Sequence, residues 1–126
     1  MEVYIGDVDT TQEEKTEMPM LGGFLRVENF KLERKARTAG GRLVIDVIAT
    51  KKRLVFEFVN MRAEDFREWE DQQRLKEPRE IEYQNEGGAT DFEKLVVNFE
   101  GDYPHLRART NGPWVFAQVT FVLEEI

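Results

Sequence analysis

A change of phase within one long apolar stretch constrains this chain more than any other feature of its sequence. In Arg42 to Val59, RLVIDVIATKKRLVFEFV, the more apolar face lies at odd positions before the basic triplet Lys51 to Arg53 and at even positions after it. The first set is Leu43, Ile45, Val47 and Ala49, and the second is Leu54, Phe56 and Phe58. Alternation with period two is typical of a half-buried strand. A one-residue slip moves every side chain to the opposite face, so the pattern requires either a β-bulge or a hairpin. We predict the hairpin, in which Ile45 faces Phe58.

The predicted turn of this hairpin lies at the basic triplet. It lacks Gly, Asn, Asp and Pro, so a four-residue loop, or an exposed tip that another molecule orders, fits better than a primed two-residue turn. Unpaired buried cations are very costly, and we therefore expect Lys51, Lys52 and Arg53 to be exposed and mobile. Asp46 and Glu57 would then lie opposite each other, where like charges destabilise the pairing. A different register, a fully hydrated face, or a cation or basic partner would each resolve that conflict.

Alternating patterns elsewhere predict further strands and only one helix. The predicted strands are Glu2–Gly6, Phe24–Leu32 with a bulge or bend near Glu28 and Asn29, Arg79–Asn85, Phe92–Phe99 and Trp114–Leu123. Residues 7–20 are predicted to form an exposed acidic loop, and Gly101–Arg109 a polar loop. Strands with one helix indicate a mainly β, α+β domain: an antiparallel sandwich or barrel with one flanking helix.

The predicted helix covers Ala63 to Leu75, within about residues 61–76, and follows Asn60, which could cap it. Phe66 and Trp69 are three residues apart and must share a helix face. We expect six aromatic residues to anchor the core. These are Phe56, Phe58, Phe66, Trp69, Trp114 and Phe121.

Composition narrows the class of protein. The 126 residues form one predicted domain, 1–126, with 40% apolar and 34% charged residues. No apolar run approaches the roughly 20 residues of a membrane span, and the N-terminus lacks the pattern of a signal peptide. The net charge of −7 argues against tight nucleic-acid binding, since that usually needs a basic surface.

The chain offers few residues for catalysis. It contains no Ser and no Cys, and its one histidine is His105. Catalytic triads built on Ser or Cys are therefore impossible, and a His cluster for zinc cannot form. We predict that the protein is not an enzyme and needs no cofactor or metal. A carboxylate-dependent enzyme is the weakest of the alternatives that the many Asp and Glu residues leave open.

Two segments carry a family resemblance. RTAGGRLVIDVIATKKRLVFEFVNMRAEDFREWEDQQRL, and the ending WVFAQVTFVLEE, resemble the first domain of distal tail and related tail proteins of long-tailed bacteriophages. The resemblance extends over about residues 24 to 125. Two features depart from that family: the chain leaves no room for the carbohydrate-binding-like domain that many members carry, and the acidic loop has no counterpart.

The resemblance implies a tail-tube-like fold, with two antiparallel sheets and one flanking helix, that assembles into six-membered rings around a channel for DNA. It thus predicts a structural protein of the virion tail, present in the host cytoplasm during assembly, whose partners are copies of itself and other tail proteins. Segregated charges suit such head-to-tail contacts. The candidate self-assembly surface comprises Lys51, Lys52, Arg53, Asp46, Glu57, Asp7, Asp9, Glu13 and Glu14. The principal alternative is a small-molecule-binding barrel lined by Phe56, Phe58, Phe99 and Phe121.

Overall fold

A computed structural model describes residues 1–75, 77–84, 91–100, 105–109 and 114–126, and for 32–35, 44–49, 105–109 and 114 it describes the backbone alone. The described residues form eight strands, one α-helix and one short 3-10 helix, Gln12–Glu14. The strands are β1 (Val3–Gly6), β2 (Thr16–Glu17), β3 (Gly23–Arg37), β4 (Leu43–Arg62), β5 (Arg79–Gln84), β6 (Phe92–Phe99), β7 (His105–Arg109) and β8 (Trp114–Glu125); helix α1 is Ala63–Arg74. The mainly β class with one helix is confirmed.

All strand pairs are antiparallel, in the order β2-β1-β5-β6-β8-β4-β3, with β7 also paired to β8. One edge of β8 is shared: its first residues pair with β7, and residues 123–125 pair with β6. The sheet therefore divides along this edge of β8 into two groups of strands. One group is β1, β2, β5 and β6, and the other is β3, β4, β7 and β8. Apolar residues from both groups of strands meet in one core, as expected for a sandwich.

The predicted hairpin turn at the basic triplet is wrong, because β4 runs through it as a continuous strand of 20 residues. In the pairing with β3, Leu32 lies opposite Ala49 whereas Glu33 lies opposite Val47. Ile48 is thus the extra residue of a β-bulge, which moves the apolar face from odd to even positions. The bend expected near Glu28 and Asn29 is also wrong, since the ladder is regular there.

Strand β4 has two halves that differ in their neighbours. Residues 53–62 pair with both β3 and β8, whereas residues 43–52 pair with β3 alone among the described strands. Residues 29–52, which we call the arm, therefore form a two-stranded ribbon about 30 Å long at 3.3 Å per residue. Its turn is closed by hydrogen bonds from Gly41 N to Thr38 O and from Thr38 N to Arg42 O, both 2.9 Å. Gly41 has a φ of +81°, which a residue with a side chain rarely adopts.

The core lies where α1 packs on the sheet. Trp69 is fully buried, and its ring centroid lies 4.8 Å from Phe56, 5.3 Å from Phe58 and 5.5 Å from Phe121. Phe66 is buried as well and stacks on Phe116 at 4.0 Å. Five of the six expected core anchors are thus buried together, and the side chain of the sixth, Trp114, lies outside the described residues.

Three local predictions differ from the structure. Asn60 does not cap α1: it lies in β4 with a φ of +55°, and Arg62 occupies the N-cap position without a side-chain cap hydrogen bond. The acidic loop contains β2 and the 3-10 helix. The predicted polar loop 101–109 contains β7, which begins at His105.

Candidate self-assembly surface

The basic triplet lies at the base of the arm and its side chains are half-buried. Lys52 forms an ion pair with Glu93, and this hydrogen bond lowers the pKa of the Glu93 carboxyl below its ordinary value. Arg53 donates to Glu124 Oε1 from Nε at 2.9 Å and from Nη2 at 2.5 Å. The expectation of an exposed, mobile tip is wrong, because neighbouring strands already supply carboxylates to Lys52 and Arg53.

Asp46 and Glu57 do not face each other. The partner of Asp46 is Arg34 in β3, whereas Glu57 lies between Phe24 and Thr120. The two acidic residues are eleven positions apart in one strand, about 35 Å at strand rise. The predicted clash of like charges is therefore absent, and the side chain of Asp46 lies outside the described residues.

Charged side chains on the outer face of β3, β4 and β8 form ion pairs with one another. Arg26 contacts Glu28 at 3.0 Å and Glu57 at 3.3 Å. The Arg53 guanidinium lies 5.1 Å from the centre of the Phe30 ring, a cation–π distance. Its Nη1 is also 3.7 Å from Glu28. This face therefore has less unpaired charge to offer a partner than its sequence indicates.

The acidic segment 7–20 is fastened to β5. Arg79, which is buried, donates to Asp7 Oδ1 at 2.5 Å. The backbone N–H of Asp9 donates to Glu80 Oε2 at 3.2 Å. Glu13 and Glu14, in the 3-10 helix, are exposed. Of the predicted acidic surface residues, Asp7 thus has an internal partner, whereas Glu13 and Glu14 face solvent.

Lys15 holds the segment most firmly. Its buried Nζ lies 2.9 Å from Glu80 Oε1 and 3.1 Å from Glu82 Oε2, and donates to Thr10 O at 2.7 Å. Burial alone would lower the pKa of Lys15, but the hydrogen bonds to Glu80 and Glu82 raise it above its ordinary value. Burial acts to raise the pKa of Glu80, yet Lys15 and the Asp9 N–H lower it. This cluster was not predicted, because a single lysine among acidic residues gives no sign of burial in the sequence.

An open cleft of about 500 Å³ lies between the end of the acidic segment and α1. One wall is held by hydrogen bonds from Met18 N to Val3 O at 2.8 Å and from the Trp69 indole N–H to Pro19 O at 2.9 Å. The lining combines carboxylates with apolar side chains and includes no Lys or Arg. It consists of Met1, Glu17, Met18, Pro19, Met20, Leu21, Asp65 and Glu68. Below, we call it the acidic cleft.

The arm and the rest of the chain carry opposite net charge. Residues 29–52 contain seven Lys or Arg and two acidic residues, a net charge of +5. The remaining residues contain 11 Lys or Arg and 23 acidic residues, a net charge of −12. At the end of the arm, Arg37 and Arg42 are exposed. The basic surface is thus the whole arm rather than the triplet.

Three of the four residues of the principal alternative pack in the core. Phe56, Phe58 and Phe121 contact Trp69, which favours a filled core. Phe99 lines a separate cleft of about 350 Å³ together with polar side chains, Gln72, Gln73, Glu77 and Asn98. Within the described part of the chain, no group of three or more His, Asp or Glu could hold a metal ion. No helix there is long and apolar enough to span a membrane.

Comparison with known proteins adds no assignment: none of the protein-family models matches this chain, and the curated protein sequences give no match either.

Proposed function

We propose that this protein is a structural component of the tail or baseplate of a bacteriophage or prophage, and that it assembles with copies of itself into a ring. The observation that carries the proposal is the basic arm, a two-stranded ribbon about 30 Å long. It extends from the rest of the chain, residues 1–28 and 53–126, which is acidic and which we call the body. A two-stranded ribbon is marginally stable by itself in water, so an arm of this length gains most from packing on a partner.

Opposite charges on the arm and the body favour a head-to-tail contact. In such a contact one patch meets a different patch on the next copy, and a rotation that closes gives a ring. If the arm of one copy met the arm of another, the two basic surfaces would repel each other. The charge separation therefore supports ring assembly more than a two-fold symmetric dimer in which arm meets arm.

The order of elements gives the family resemblance partial support. The long strands β3 and β4, the helix that follows β4 directly, and the closing strand β8 lie in the segments that resemble distal tail proteins, but the basic turn expected between two strands is absent because β4 is continuous there. Under this proposal the protein resides in the virion tail, and in the host cytoplasm during assembly. Its partners are further copies, six to a ring by resemblance, and neighbouring tail proteins. No catalytic step, cofactor or specific nucleic-acid contact is needed.

Phage particles from the bacterium that encodes the gene provide the test. We expect antibodies against this protein to label the tail in electron micrographs, and deletion of the gene to leave particles with absent or defective tails. Deletion of a neighbouring gene that is not needed for tails is the matched control. Normal tails assembled without the protein would overturn the proposal.

A further inference from the structure

We propose that the end of the arm of one copy docks in the acidic cleft of a second copy. This inference rests on the proposed function, since it names the two surfaces that a ring contact would join. The arm tip comprises residues 37–43, and the acidic cleft lies between residues 17–21 and α1. Both surfaces are made of described residues.

The arm tip has the chemistry of an inserted element. Arg37 and Arg42 are exposed, and Leu43 next to them is 48% exposed. The turn is not packed against other described residues, since a Cβ on Gly41 would meet nothing within 4 Å. The turn is nevertheless ordered, because Arg37 Nη1 donates to Gly41 O at 3.1 Å and Arg42 N donates to Thr38 Oγ1 at 3.3 Å. The tip therefore presents two cations and one aliphatic side chain on a preformed turn.

The acidic cleft offers the complementary chemistry. Glu17 in β2 and Glu68 in α1 are exposed carboxylates that line the cleft, whereas the third carboxylate, that of Asp65, is buried and paired with Arg62. Leu21, at the rim, is 70% exposed, and the partly buried Met20 lies beside it. Methionine is flexible and polarisable, which suits a surface that must adapt to a partner. Two arginines can thus meet two carboxylates while Leu43 covers Met20 and Leu21.

The cleft is also prepared for binding. Trp69 in the core fixes the Pro19 carbonyl, and Met18 is paired to β1, so the wall need not be ordered when a partner arrives. A volume of about 500 Å³ accommodates a narrow turn with a few side chains. The ion pairs would be partly exposed, and salt would weaken the contact because charges are screened within about 10 Å at 0.1 M ionic strength.

Charge exchange in the full-length protein tests the contact. One variant carries Arg37→Glu and Arg42→Glu, and the other carries Glu17→Lys and Glu68→Lys. We expect each variant alone to associate roughly a hundredfold more weakly than the parent, because like charges then meet. An equimolar mixture of the two should recover assembly, as should one chain that carries all four changes. Sedimentation velocity at low salt measures the association.

Matched controls change the same charge elsewhere. Asp71→Lys with Asp91→Lys alters exposed carboxylates outside the cleft, and Arg67→Glu with Arg74→Glu alters exposed arginines of α1. Both should assemble like the parent. Circular dichroism reports whether each variant folds. If a reversed variant does not fold, the neutral pairs Arg37→Gln with Arg42→Gln and Glu17→Gln with Glu68→Gln replace it, and each should weaken association about tenfold.

Three results would overturn the inference. These are a parent that stays monomeric at every concentration, variants that associate as well as the parent, and a mixture that does not recover assembly. A labelled DNA duplex tests the other class of partner. If the parent binds the duplex, loses that binding when Arg37 and Arg42 are reversed, and does not self-associate, the partner of the arm is a polyanion instead. If rings form equally well in these variants, the inference is overturned but the proposed function is not, because the phage particles test the proposed function separately.

Discussion

The two halves of β4 have the same backbone conformation and very different surroundings. Residues 53–62 lie between β3 and β8 and contribute Leu54, Phe56 and Phe58 to the core, each at most 1% exposed. Residues 43–52 pair with β3 alone among the described strands, and Leu43 is 48% exposed. One half is thus part of the body, and the other belongs to the arm.

This difference shows that strand formation and stability have separate causes here. Ladder hydrogen bonds form along both halves, but each contributes little net free energy because it replaces hydrogen bonds to water. Burial of apolar surface supplies most of the stability, and it is concentrated where β8 and α1 cover β4. The body should therefore be sensitive to substitution, and the arm should tolerate it.

The largest effect is expected for Trp69→Ala, which removes the centre of the body. The indole contacts three buried phenylalanines and donates a hydrogen bond to Pro19 O. Loss of such a side chain costs about 3–5 kcal/mol of unfolding free energy. Urea unfolding of the variant measures this cost. Leu75→Ala, just past α1 at a position 48% exposed, is the control and should change stability by less than about 0.5 kcal/mol. Equal effects of the two substitutions would contradict the core assignment.

A somewhat smaller effect is expected for Lys15→Met, which tests the ionic fastening of the body. The substitution leaves the carboxylates of Glu80 and Glu82 without their buried cation. Breaking a buried ion pair costs about 3 kcal/mol, at the lower end of the usual range because Glu80 keeps the hydrogen bond from Asp9 N. Lys94→Met is the matched control, since Lys94 is half-exposed and lies 3.6 Å from the same carboxylate; it should cost less than about 1 kcal/mol.

The cluster of Lys15, Glu80 and Glu82 also makes the stability of the body depend on pH. Glu80 has a lowered pKa, so its contribution is present above the ordinary value near 4.5 and is lost as pH falls through the folded value. Lys15 has a raised pKa, so its contribution is present below about 10.5 and is lost as pH rises through the folded value. In Lys15→Met this loss of stability in acid should shrink, because the lysine no longer lowers the folded pKa of Glu80. The cost of the substitution should therefore fall as pH falls, and a cost that is the same at every pH would show that the pair is not coupled.

The smallest effect on stability is expected in the arm. Leu43→Ala, and the reversal of Arg37 and Arg42, should each change the unfolding free energy by less than about 0.5 kcal/mol, because these side chains are exposed. The same reversal is expected to weaken self-association roughly a hundredfold. A loss of stability comparable with that of Trp69→Ala would show that the arm packs on its own body.

The sequence was sufficient for the features that depend on neighbouring residues. Periodicity located the strands other than β2 and β7. It also located the helix, whose observed bounds, Ala63–Arg74, end one residue before the predicted end. The three-residue spacing of Phe66 and Trp69 placed both on the buried face. Even the bulge in β4 was visible as a change of phase, but a hairpin produces the same local pattern. The choice between them depended on which strand pairs with residues 53–62.

Only the tertiary structure decided that question, because pairing with β8 joins residues more than fifty positions apart. It also decided that Lys15 is buried and that Lys52 and Arg53 have partners, since their carboxylates come from β5, β6 and β8. The sequence around a charged side chain is the same whether that side chain is hydrated or paired with a carboxylate from a distant strand. Local pattern therefore determined the strands of this protein, and long-range pairing determined which of its charges remain available to a partner.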